Sequence, residues 1–245
     1  MRNAIRPLAH CGLAGALGAL SGALGCGPHA HIPPRPVSPI LRPTPNASVE
    51  LKARRLAPTL YIQRDEWFPL SRVVAVVNPT RPLIAYHLLW RDDAYGAWIP
   101  FTVPTDEEIV WVAYDTATGE PTSLYTYWHG RVLHTDWRGR GPPAVDVQWG
   151  KHGSLPHDVT QSDLPPLQTL NVFYALTWIG IPDLLLGRIM RKGPVCFCHG
   201  YRRYREFTRV LPLADRLDAI VVAEHADPVL REVFGRPYSR KHPWP

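Results

Sequence analysis

From about residue 56 to residue 150, apolar side chains recur at every second position in short runs, and turn-forming clusters cut the runs apart. A period of two marks a half-buried strand, because successive side chains leave opposite faces of the backbone. Runs at 59–62, 72–77, 83–90, 98–103, 108–114, 124–128, 132–136 and 145–149 fit this description and are rich in Val, Ile, Tyr and Trp. Between them lie segments such as Asn-Pro-Thr-Arg-Pro at 78–82 and Asp-Thr-Ala-Thr-Gly at 115–119, whose residues favour turns. The run 108–114 is apolar on both faces, with Ile109, Trp111 and Ala113 on one side and Val110, Val112 and Tyr114 on the other. That predicts a central strand covered from above and below. With no helical period interrupting the series, the predicted fold is mainly β: an antiparallel, jelly-roll-like β-sandwich over 47–160.

After His157 the pattern changes. Residues 164–190 are strongly apolar, with Asp183 as the sole acid and a break at Gly180 and Pro182, which predicts helices at 167–178 and 183–190. Asp227-Pro228 ahead of 229–234, and Gly235 behind it, predict one more short helix. Residues 161–245 are therefore expected to form an α-helical extension packed on the sandwich. Neither apolar half of 164–190 is long enough to cross a bilayer.

Ahead of the sandwich the chain has a different character. Arg2 and Arg6 precede an Ala/Gly/Leu run at 12–24 that ends on Cys26. A basic start, a short apolar stretch and small residues before a cut form a secretory signal. Ending on Ala-Leu-Gly-Cys, it resembles the leader of bacterial lipoproteins, which implies that residues 1–26 end at a lipidated Cys26 (or, as the alternative, that a plain secretion signal is cut nearby). Residues 27–46 hold Pro28, Pro33, Pro34, Pro36, Pro39, Pro43 and Pro45, a spacing that favours an extended polyproline-like tether.

Charge and cysteine content narrow the partners. The formal charge is +6 over 245 residues, and removing the two leader arginines leaves 6 − 2 = +4. No lysine/arginine block is dense enough for a nucleic-acid arm, so no nucleic-acid partner is expected. Cys196 and Cys198 are one residue apart and ill-placed to bridge each other, which leaves them as idle thiols or as metal ligands beside His199.

Four stretches resemble a known family. LAPTLYIQRDEWFPLSRV (56–73), IAYHLLW (84–90), TDEEIVWVAYD (105–115) and PPAVDVQWGKHGSLP (142–156) are similar to successive segments of the vacuolar protein sorting-associated family numbered sixty-two. More remotely, the Asp-x-Glu strand followed by His129-Gly130 resembles the necrosis-inducing secreted proteins. That likeness implies a single sandwich holding a divalent cation with acids and histidine and engaging membrane sphingolipid headgroups. In this chain the residue before the acids is Thr105 and the one between them is Glu107, where those proteins carry His and Trp.

Asp106, Glu108, His129 and His152 form the candidate site. The two acids are two apart, so on a strand their side chains leave the same face. Each histidine precedes a glycine at a predicted strand end. Such a mixed oxygen/nitrogen set suits one divalent metal ion; otherwise these are turn acids and hydrogen-bonding loop histidines. Arg202, Arg203 and Arg205 interleave with Tyr201, Tyr204 and Phe207, either as a patch for lipid phosphate or glycan or as a packing segment whose arginines snorkel. No nucleophile elbow, phosphate loop or dinucleotide fingerprint is present. The expectation is a non-enzymatic, lipid-anchored cell-envelope protein that binds a surface lipid headgroup or glycan; the alternative is a metal-dependent hydrolase using the Asp/Glu/His set.

Overall fold

The computed structural model describes residues 46–63, 66, 68–91, 106–128, 131–148, 150, 152–157, 159, 207–235, 238, 241 and 244–245. A short helix, α1 (Ala47–Arg55), leads into ten strands: β1 (Thr59–Gln63), β2 (Leu70–Val77), β3 (Leu83–Trp90), β4 (Asp106–Tyr114), β5 (Pro121–Trp128), β6 (Arg131–Asp136), β7 (Ala144–Val147), β8 (Ser154–Pro156), β9 (Phe207–Pro212) and β10 (Ala219–Val222). A 3-10 turn (Leu213–Arg216) separates β9 from β10, and α2 (Asp227–Phe234) follows. The strands form two sheets, ordered β8-β7-β1-β9 and β10-β2-β3-β4-β5-β6. This is a mainly β, two-layer sandwich, as the alternation predicts.

Local chemistry explains the turns. Asn78 Oδ1 accepts from the Thr80 and Arg81 backbone N–H groups at 3.0 and 2.8 Å, so the side chain closes the β2–β3 connection as a backbone carbonyl would. Asp115 does the same for Ala117 and Thr118 at 2.9 and 2.7 Å, and Gly119 completes the turn at φ +70, a conformation open to glycine. Those bonds, led by the Thr118 N–H, hold the Asp115 carboxyl below its usual value. At the start of α1 the Asn46 side chain caps the Val49 N–H at 2.9 Å.

The core sits in two layers. Between the sheets, Ile84, Tyr86, Leu88, Trp90, Val110, Val112 and Leu124 meet Leu60, Ile62, Val145, Val147 and Leu211, all buried. Alternate residues of the six-stranded sheet, including Ala85, Leu89, Ile109 and Trp111, face outward and are covered by Val229, Leu230 and Phe234 of α2. β4 is thus buried on both faces, as its sequence predicts. Tyr86 bridges layers by donating from its hydroxyl to the Ala53 carbonyl of α1 at 2.8 Å, and burial pushes its phenol well above the usual value.

Two features differ from expectation. The sheets are mixed rather than purely antiparallel, since β1 pairs with β7 and β10 with β2 in parallel. The described part of 161–245 is also not a helical layer. α2 falls where Asp227-Pro228 and Gly235 place it, but β9 and β10 are built into opposite sheets, β9 beside β1 and β10 beside β2. Asp218 fixes β10 by accepting from the Val73 N–H at 2.7 Å and pairing with Arg72 at 2.8 Å. The strand predicted at 98–103 and the helices predicted at 167–178 and 183–190 lie outside the described residues.

Candidate functional site

β1, β3 and β7 run out at the same end of the sandwich from which β2, β4 and β8 start. Strand pairing sets Trp90, the last residue of β3, opposite Asp106, the first of β4. The loop between β7 and β8 then brings in His152. It takes a left-handed backbone (φ +56) that is uncommon for a residue with a Cβ, and its N–H donates to the Gln148 carbonyl at 2.9 Å. That turn drives the imidazole inward until it is fully buried and lies flat on the Trp90 indole, with ring centroids 4.1 Å apart at 4°.

Carboxylates hold both nitrogens of the ring. Nδ1 donates to Asp106 Oδ2 at 2.8 Å, and Nε2 lies 3.4 Å from Glu66 Oε1. Glu66 is fixed in turn by accepting the Phe68 N–H and the Gly150 N–H, each at 2.9 Å. Burial alone would lower the His152 pKa; the Glu66 charge and the Asp106 hydrogen bond overcome it and raise it to about 9. The ring is a buried imidazolium at neutral pH.

Beside it, Glu108 Oε1 lies 3.5 Å from the Lys241 ammonium, which also sits 4.8 Å above the Tyr127 ring. Burial pushes the Glu108 carboxyl well up, with Lys241 pulling it down and Asp106 pushing it further up. Burial works against the charge on Lys241, yet Glu108 and Asp106 hold its ammonium above the usual value. Three acids here, Glu66, Asp106 and Glu108, face two cations, His152 and Lys241. A separate pair lies on the outer side of the same strands, where His87 Nδ1 and Glu107 Oε1 are 2.7 Å apart beneath α2.

Asp106, Glu108 and His152 of the sequence-derived set thus do meet, and they do so as an interior charge network. The fourth member, His129, and the arginines Arg202, Arg203 and Arg205 lie outside the described residues, as does Cys26. Of the described donors, Asp106 Oδ2 is taken by His152 and Glu108 Oε1 faces Lys241, and among the described residues no group of three or more His, Cys, Asp or Glu side chains is arranged to hold a metal. Glu66 and Lys241 escaped the sequence reading. Glu66 had one signal, an acid inside the otherwise apolar 66–70 segment. Lys241 had none, since it is 133 positions from Glu108 in the chain (241 − 108).

No family model matches this chain, and no curated protein matches it. Two solved structures are similar, both of the necrosis-inducing Phytophthora protein NLPPya. NLPPya in complex with glucosamine is 13% identical, covers 60% of this chain and 85% of its own, and has a TM-score of 0.33. A substituted form of NLPPya is 11% identical over 54% of this chain and 82% of its own, with a TM-score of 0.31. A likeness at this level carries neither a ligand nor a site to the present chain.

Away from the network, the outer face of the six-stranded sheet is exposed along β6, at Val132, His134 and Asp136. Tyr125 pairs with His134 and Tyr127 with Val132 across the ladder, so these four side chains share one face. Tyr125 and His134 stack with centroids 4.6 Å apart at 27°, and Val132 is 39% exposed. Asp136 extends the row, with an oxygen 3.8 Å from His134 Nε2.

Proposed function

We propose that this is a non-enzymatic cell-envelope protein, held to the membrane by a lipid on Cys26 and a proline-rich tether, that binds surface glycan through the outer face of β5 and β6. The observation that carries the reading is the stacked Tyr125–His134 pair beside Val132, flanked by the Asp136 carboxylate. A pyranose ring has an apolar C–H face and a rim of hydroxyls. Half-buried aromatic rings match the face, while a carboxylate and an imidazole accept from the rim. Rings braced by strand pairing lose little entropy when a ligand docks.

The hydrolase alternative needs room for a substrate beside the acids. Among the described residues, two cavities border the network. One of about 30 Å³ is lined by His87, Glu107, Tyr238 and Lys241; the other, of about 60 Å³, is lined by Glu66, Trp90, Arg209 and Arg216. Ligand pockets run to several hundred Å³, and spaces this small hold one or two waters. No observation favours hydrolysis.

A glycan array followed by calorimetric titration tests the proposal. Binding of at least one polysaccharide is expected, with Tyr125→Ala and His134→Ala each weakening it roughly tenfold, about 1.4 kcal/mol, while leaving the melting temperature within a few degrees. Binding to anionic lipid vesicles alone, or glycan binding that survives both substitutions, would overturn it. Mass spectrometry of the mature N-terminus tests the anchor: an acylated Cys26 is expected, and an unmodified start elsewhere excludes it.

A further inference from the structure

We propose that Lys241 is a tethered cation, standing permanently where a divalent ion would otherwise neutralise Asp106 and Glu108 and thereby closing the acidic end of the sandwich. Two buried carboxyls leaving the same face of one strand create a field that a nearby cation relieves. Here the cation arrives from the far end of the chain, with its ammonium 3.5 Å from Glu108 Oε1 and its side chain only 15% exposed.

The segment carrying Lys241 is braced for that task. Tyr238 packs edge-on against Phe234 of α2 at 5.2 Å. Trp244 donates from its indole to the Glu224 carbonyl at 2.8 Å and takes the Arg81 guanidinium over its ring at 5.5 Å. Between these anchors, Lys241 lies over Tyr127. His152 covers the other acid. Together, the imidazolium on Asp106 and the ammonium at Glu108 supply two fixed positive charges, the charge a divalent ion would bring.

This predicts a protein indifferent to divalent cations that becomes responsive once Lys241 is removed. Purified wild-type protein should carry no stoichiometric metal, and its melting temperature should be the same in chelator as in manganese or calcium. Lys241→Ala should acquire a melting temperature that climbs with manganese concentration and should bind manganese at least about tenfold more tightly than wild type in calorimetry. Lys241→Arg, which keeps the charge, should stay indifferent. If Lys241→Ala folds only with manganese present, the proposal stands. If it does not fold at all, adding Glu108→Gln should restore folding without manganese dependence, and failure to do so counts against the proposal. Stoichiometric metal in the wild type, or a folded Lys241→Ala variant with no cation response, would overturn it.

Discussion

At the scale of single residues, the charge on His152 depends on its surroundings. An imidazole stacked face to face on Trp90 and cut off from water should shed its proton, yet Glu66 and Asp106 hold it on. Because the folded pKa of about 9 lies above the ordinary value of 6.5, the stabilisation is fully present below pH 6.5 and disappears as pH rises through about 9. The shift corresponds to on the order of 3 kcal/mol. Chemical unfolding followed from pH 6.5 to above pH 9 should show that loss, and a flat profile would rule the imidazolium out. Glu66→Gln should flatten the profile, because it removes the charge that most strongly opposes deprotonation. Glu66→Ala should cost about 3 kcal/mol, since it also strips acceptors from the Phe68 and Gly150 amides.

At the scale of elements, the strands were legible because alternation and burial coincide. β3 spans the predicted run 83–90, and β4 extends the predicted 108–114 by only the two acidic residues that pair against Leu89 and Trp90. What alternation cannot encode is who pairs with whom. The parallel β10–β2 contact is invisible to local pattern, because 219–222 is a four-residue apolar run over a hundred positions from its partner. It is held by Asp218, which meets Val73 and Arg72. Asp218→Ala leaves the Val73 amide, on a residue 1% exposed, without its acceptor, and should cost about 1–3 kcal/mol. Amide exchange should quicken selectively in 219–222; uniform exchange would show that β10 does not depend on this clamp.

At the scale of the molecule, the site was half legible for the same reason. Asp106, Glu108 and His152 stand out by residue type and spacing, whereas the partners that set their chemistry come from the ends of the described chain, Glu66 after β1 and Lys241 after α2. A site assembled by topology shows its acids in sequence and hides its counter-charges. The consequence concerns 207–245, which sequence pattern assigns to an extension laid on a finished sandwich. In the structure β9 supplies the edge beside β1, β10 the edge beside β2, and α2 the cover over Ile109 and Trp111. Removing these residues would uncover buried Leu60, Val74, Val76 and Trp111 and leave Glu108 without Lys241. Each large apolar side chain so exposed forfeits roughly 1.5–3 kcal/mol, and four of them approach the whole stability of an ordinary domain. A chain ending at residue 206 should therefore lack a cooperative melting transition and accumulate as aggregate. A truncated protein that stays soluble and melts cooperatively would return 207–245 to the status of an appendage.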